Sequence, residues 1–252
     1  MLTLPADITW LSFAAIALAI AIGYLSFGAT GFGASIISVP IAAHFLPLTF
    51  VVPMITGIDC CAVATASFRQ WRQVDWREFR HLLLPMLIGI AIGLTLLINL
   101  SRSVALLALG VFVAAYAAYT LSGVRQWKAI HPRWAIPIGI FGGMFSALFG
   151  TGGPVYMVFL SSRIADKGAL RATSTMIVAL SVVVRALAFI GSGMLLQQGL
   201  LLVVLVLVPV MLVGYSVGSR LHARLSGPAI RKWIAWLLLA NGVLLVVRSL
   251  SS

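Results

Sequence analysis

The stretch GATGFGAS, residues 28–35, sits inside one long apolar run. Glycine weakens a helix by about 1 kcal/mol per residue relative to alanine. Gly28, Gly31 and Gly33, three glycines in six positions, therefore break any helix that runs through them. FGTGGP, residues 149–154, places a second break in another apolar run.

The rest of the composition says what surrounds these breaks. Of 252 residues, 62% are hydrophobic and 9% charged, against about 25% charged in a soluble domain. Several runs approach the roughly 20 residues needed to span a bilayer as a helix. None shows the strict alternation of a barrel strand. The class is a polytopic helical membrane protein. The net charge of +12 suggests nucleic acid at first sight, but the cations fall in short clusters between apolar runs and mark cytoplasmic loops instead. The first residues, MLTLPADITW, lack the basic region of a cleaved signal peptide. Cys60 and Cys61 are adjacent in an apolar run. They form no disulfide framework or metal site and are expected to be small buried packing residues.

Six segments read as simple spans: 50–68, 82–100, 103–123, 172–195, 199–219 and 233–250. Two others, 10–46 and 134–162, carry the glycine breaks. The basic residues decide how the broken segments run. The clusters are Arg69, Arg72, Arg77 and Arg80; Arg125, Lys128 and Arg133; Arg163, Lys167 and Arg171; and Arg220, Arg224, Arg231 and Lys232. If each broken segment enters and returns as a hairpin, all four clusters fall on one side, opposed only by Arg102 and Arg248. A single crossing of the later one splits the cations almost evenly. The positive-inside rule favours hairpins, with both termini outside. The seven tryptophans, Trp10, Trp71, Trp76, Trp127, Trp134, Trp233 and Trp236, fall near segment ends, where an aromatic belt belongs.

A shift of 119 positions lays Gly23, Gly31, Gly33 and Thr56 on Gly142, Gly150, Gly152 and Thr175. The expected fold is therefore all-α, with two repeats, residues 1–124 and 125–252. Each is a glycine-broken hairpin plus three transmembrane helices. Three crossings are an odd number, so the repeats are inverted, an arrangement found in transporters.

Backbone freed in lipid costs several kcal/mol per group unless protein or a watery cavity satisfies it. A break also exposes a helix N-terminus, whose amides and positive dipole end attract anions. Two such breaks facing each other build a polar site for a small anion. Small-residue packing explains single glycines such as Gly89 and Gly93, and two dense clusters at matched positions less well. The two charges at mid-span are Asp59, in VVPMITGIDCCAVATASF, and Arg185, in TSTMIVALSVVVRALAF. Each costs about 2.5–3.5 kcal/mol at the bilayer centre. They either pair with each other, or Arg185 forks an oxyanion while Asp59 orients it, carries a proton or neutralises it. Thr30, Ser35, Thr56, Thr151 and Thr175 add hydroxyls, though such groups in membrane helices usually bond their own backbone. Asn241 reads as interhelical glue and His44 as interfacial. His81, His131 and His222 offer no metal spacing.

The pattern GYLSFGATGFGASIISVP, residues 23–40, and its counterpart GGMFSALFGTGGPVYMVFL, residues 142–160, resemble the TauE/SafE family of membrane permeases. The resemblance covers nearly the whole chain. It implies export of sulfite, sulfoacetate or a related small anion across a bacterial inner membrane. Two positions depart from the pattern: Ala34 stands where the second motif has Gly153, and Phe159 where the first has Pro40.

The substrate-binding candidates are Arg185, Thr30, Gly31, Gly33, Gly150, Thr151, Gly152 and Gly153. Asp59 is the coupling or charge partner, and Ser35, Thr56 and Thr175 are supporting hydroxyls. An importer or channel for a neutral or cationic solute, using Asp59, is the alternative. A hydrolase would need a nucleophile with its base, or two carboxylates, which these spans do not offer. No G-x-x-x-x-G-K loop for ATP occurs. No cofactor or metal is expected. The partners are a small anion and membrane lipid, with a homodimer allowed and no nucleic acid.

Overall fold

Each glycine-broken run folds as two antiparallel helices. In the computed structural model the described residues are 9–66, 71–122, 130–220 and 228–250, without the side chains of 30, 66 and 228–234. The first hairpin is α1 (Trp10–Thr30) and α2 (Ala34–Ala42). The second is α6 (Ala135–Phe149) and α7 (Gly152–Arg163). The spans are α3 (Leu48–Ala66), α4 (Trp76–Asn99), α5 (Arg102–Leu121), α8 (Lys167–Gly191), α9 (Leu200–Arg220) and α10 (Pro228–Leu250). No strand occurs among the described residues. Six helices, α1, α3, α4, α5, α8 and α9, are long and apolar enough to cross a membrane. The sequence boundaries hold to within six residues; the largest extensions are at the starts of α4, α8 and α10, and those of α4 and α8 follow from caps. Asp75 accepts from the amides of Arg77 and Glu78, and Asp166 from that of Ala169, so each helix begins at its carboxylate.

The antiparallel run of each hairpin is set by a glycine. On the first, Gly23 faces the Ala34 carbonyl and the Ser38 hydroxyl, and Ser38 Oγ donates to the Ala19 carbonyl at 3.1 Å. On the second, Gly142 lies against Tyr156, and Gly152 against the Gly142 carbonyl. The hairpins are unequal. α1 has 21 residues, about 31 Å at 1.5 Å per residue, whereas α6 has 15.

Glycines also set the contacts between helices. α4 packs along α6, and α1 along α9. Gly89 and Gly93 of α4 meet the Ile140 and Met144 backbone, while Gly214 and Gly218 of α9 meet that of Ala21 and Leu25. Gly110 of α5 and Gly242 of α10 meet each other's backbone. These are the close small-residue crossings of membrane helices, as expected for Gly89 and Gly93. The main remaining contacts join α3 to α9, α4 to α8, and α3 to α8. Exchanging α1–α5 with α6–α10 turns this set of pairs into itself. At the start of α4, Glu78 binds Arg163 at the end of α7 through both oxygens, at 2.6 and 2.7 Å, closing the second hairpin onto α4.

Large apolar side chains such as Leu84, Ile88, Leu187, Leu205, Val213 and Leu244 are exposed, as a lipid-facing surface requires. Trp10, Trp71, Trp76, Trp134 and Trp236 are exposed near helix ends, as an interfacial belt predicts. Arg69, Trp127, Arg125, Lys128, His222 and Arg224 lie outside the described residues, as do the side chains of Arg231, Lys232 and Trp233. One expectation fails. Cys60 is half-buried but Cys61 is exposed, because neighbours on a helix point about 100° apart.

Gly89→Leu forces a branched side chain into the Ile140 backbone. It is expected to destabilise the protein by about 3 kcal/mol or more. Leu84→Ala, on the exposed face, should stay within about 0.5 kcal/mol. Thermal unfolding of the two purified variants in detergent compares them directly.

Candidate functional site

α1 ends because Gly31 adopts φ +83°, and its amide closes on the Phe27 carbonyl at 2.7 Å. Gly33, at φ +97°, then starts α2. In the other half Gly150, at φ +71°, ends α6, with its amide on the Ser146 carbonyl at 2.8 Å. A residue with a Cβ in this left-handed region costs about 1–2 kcal/mol. Glycine is therefore what lets the chain turn within one or two residues. Neither α2 nor α7 carries a side-chain cap at its start, so their first amides remain without helical partners.

Both starts border one cavity of about 20 Å³, room for roughly one water. Seven of the expected residues line it: Gly33, Ser35, Asp59, Gly150, Thr151, Gly153 and Arg185. Tyr24, Ser146 and Ser181 complete the polar network and were not anticipated. Asp59 and Arg185 do pair. Arg185 is 1% exposed, with Nη2 on Asp59 Oδ2 at 3.1 Å and Nη1 on the Ser146 carbonyl at 2.6 Å. Asp59 Oδ1 accepts from the Tyr24 hydroxyl at 2.7 Å, and Oδ2 also accepts from Ser35 Oγ at 3.4 Å. Ser146 Oγ donates to Ser181 Oγ at 3.2 Å, which passes on to the Val178 carbonyl. A buried carboxylate needs donors. The Tyr24 hydroxyl on α1 meets this need for Asp59 on α3, a pairing with no local signal in the sequence.

Two buried polar atoms of cavity-lining residues have no hydrogen-bond partner among the described residues: Arg185 Nε and Thr151 Oγ1. An unmade hydrogen bond on a buried donor costs about 1–3 kcal/mol. Asp59 and Arg185 cancel, and at each break the half-positive helix start meets the half-negative end of the preceding helix. The cavity is lined by amides, one open guanidinium donor and one open hydroxyl. That chemistry suits a small oxyanion.

The remaining candidates lie elsewhere. Gly31 sits against Thr175 Oγ1 and the Arg171 side chain, outside the cavity wall. Gly152 turns into its own hairpin, against Gly142, Ser146 and Tyr156. Thr56 Oγ1 donates to the Val52 carbonyl of its own helix at 2.8 Å, the usual fate of such hydroxyls. The Thr30 side chain is outside the described residues. Asn241 bonds His44 Nε2 at 3.2 Å, joining α10 to the turn after α2 rather than to another helix. No group of three or more metal-ligating side chains occurs among the described residues.

Residues 15–245 match the family described as sulfite exporter TauE/SafE. A relative from Comamonas testosteroni, described as the probable inner membrane transporter protein TsaS, is 28% identical over 174 residues. That alignment covers 69% of this chain and 73% of the relative. No solved structure matches the chain. With a family match across nearly all of the membrane helices and both glycine breaks, this chain belongs to the sulfite exporter TauE/SafE family of membrane transporters.

Proposed function

We propose that the protein exports a small sulfur-containing or carboxylate anion, such as sulfite or sulfoacetate, across the bacterial inner membrane. The observation that carries this reading is the convergence of Arg185 Nε and two uncapped helix starts on one buried cavity. The cationic alternative would need Asp59 as an open ligand. Its oxygens are instead engaged by Tyr24, Ser35 and Arg185, which leaves the guanidinium as the group with a donor to spare.

The inside-negative potential drives an anion outward by about 2.3 kcal/mol per charge per 100 mV, so export needs no coupling ion. The two halves, residues 1–124 and 125–252, act as inverted repeats with both termini outside. The exchange symmetry of the helix pairs and the placement of the basic clusters support this. A cavity of about 20 Å³ is smaller than a sulfite ion with its contacts. The hairpins therefore separate around the glycine breaks to admit substrate.

The test is efflux from proteoliposomes loaded with sulfite, sulfoacetate, acetate or taurine. The anions sulfite or sulfoacetate are expected to leave and the zwitterion taurine to stay. Efflux of taurine alone would move the function to a neutral solute.

A further inference from the structure

We infer that Arg171 forms a second binding site for the same small oxyanion, on the face of α8 that leads to Arg185. The inference rests on the anion reading of the central cavity. The two arginines are 14 residues apart on one helix, which at ideal geometry puts them about 21 Å apart and within about 40° of the same face. Thr175, Val178 and Ser181 fall between them on that face. The first break lies along this stripe. Gly31 sits against Arg171 and Thr175 Oγ1, while Phe32 and Val178 both approach Gly153 at the start of α7. Val178, Ser181 and Arg185 then border the central cavity. Arg171 is thus about two turns beyond the cavity's edge at Val178, at the end of α8 that carries the basic cluster.

Arg171, like most cations of this chain, has no countercharge among the described residues, but it stands at the first break. The chain has five acidic residues. Asp59 and Glu78 are paired with Arg185 and Arg163. Asp75 and Asp166 cap the starts of α4 and α8, and Asp7 lies outside the described residues. Arg171 is half-buried and spends Nη2 on the Gly28 carbonyl at the end of α1, at 2.9 Å. Among the described residues its Nε and Nη1 have no partner. A half-buried guanidinium with two open donors and no acid is a ready fork for an oxyanion. Its bond to Gly28 also ties that site to the hinge of the first hairpin.

Equilibrium dialysis of radiolabelled sulfite against the purified full chain tests this. Wild type is expected to bind two sulfites, and Arg171→Gln and Arg185→Gln one each, with Arg171→Lys restoring the second. One site in wild type, lost in Arg185→Gln and kept in Arg171→Gln, overturns the second site and leaves the central one standing. Loss of both sites in Arg171→Gln without rescue by lysine makes Arg171 a structural tie for α1 and also overturns it. No sulfite binding in wild type overturns the central reading, and this inference with it.

Discussion

Arg185→Gln lowers anion flux by at least about 100-fold, and combining it with Asp59→Asn restores stability without restoring flux. The prediction separates the two roles of the buried pair. Removing one partner of a buried ion pair costs about 3–5 kcal/mol, because the other charge is stranded. Asp59 would keep Tyr24 and Ser35 but lose its cation. Each single variant therefore unfolds at lower temperature. The double variant removes both charges and regains most of that loss. Flux behaves differently, because the unpartnered Nε of this cavity-lining arginine is gone in both Arg185 variants. Loss of one charge-assisted contact, about 1.5–3 kcal/mol, together with the positive charge, accounts for two decades. Thermal unfolding and efflux measured on the same preparations decide it. Recovery of flux in the double variant would reduce Arg185 to a structural partner of Asp59.

Gly150→Ala abolishes transport while Gly193→Ala leaves it intact, although both glycines have φ near +70°. The backbone cost of alanine in that region, about 1–2 kcal/mol, is shared. The surroundings differ. A Cβ on Gly150 lies 3.0 Å from Arg185 Nη1 and 3.0 Å from Ser35 Oγ, at the wall of the cavity. A Cβ on Gly193 meets nothing within 4 Å. Both variants should lose similar stability, and only the first should lose efflux. Equal loss of efflux in both would mean that hinge strain, not cavity space, governs activity.

The glycine clusters made the architecture legible. A break with positive φ is a local property, and residues 28–35 and 149–154 announce it without tertiary information. The charges were legible for the same reason, since Asp59 and Arg185 stand alone in apolar runs. Which residue of each break faces the cavity was not legible. Gly152 and Gly153 are adjacent, yet one turns into its hairpin and the other to the cavity, because consecutive helical positions differ by about 100°. Thr56 lies one turn from Asp59, but its hydroxyl bonds back to Val52. The partnership of Tyr24 with Asp59 spans 35 residues and joins α1 to α3, and only the tertiary fold creates it. Cys61 shows the converse: an apolar run does not say which of two neighbours meets lipid.

The most direct measurement is the charge carried by transport. Sulfite-loaded proteoliposomes containing wild-type protein are held at a set membrane potential, with no pH gradient. The account predicts outward sulfite flux that carries net negative charge and rises as the inside is made more negative. Flux that stops when the pH gradient is zero, or that is indifferent to potential, would contradict it.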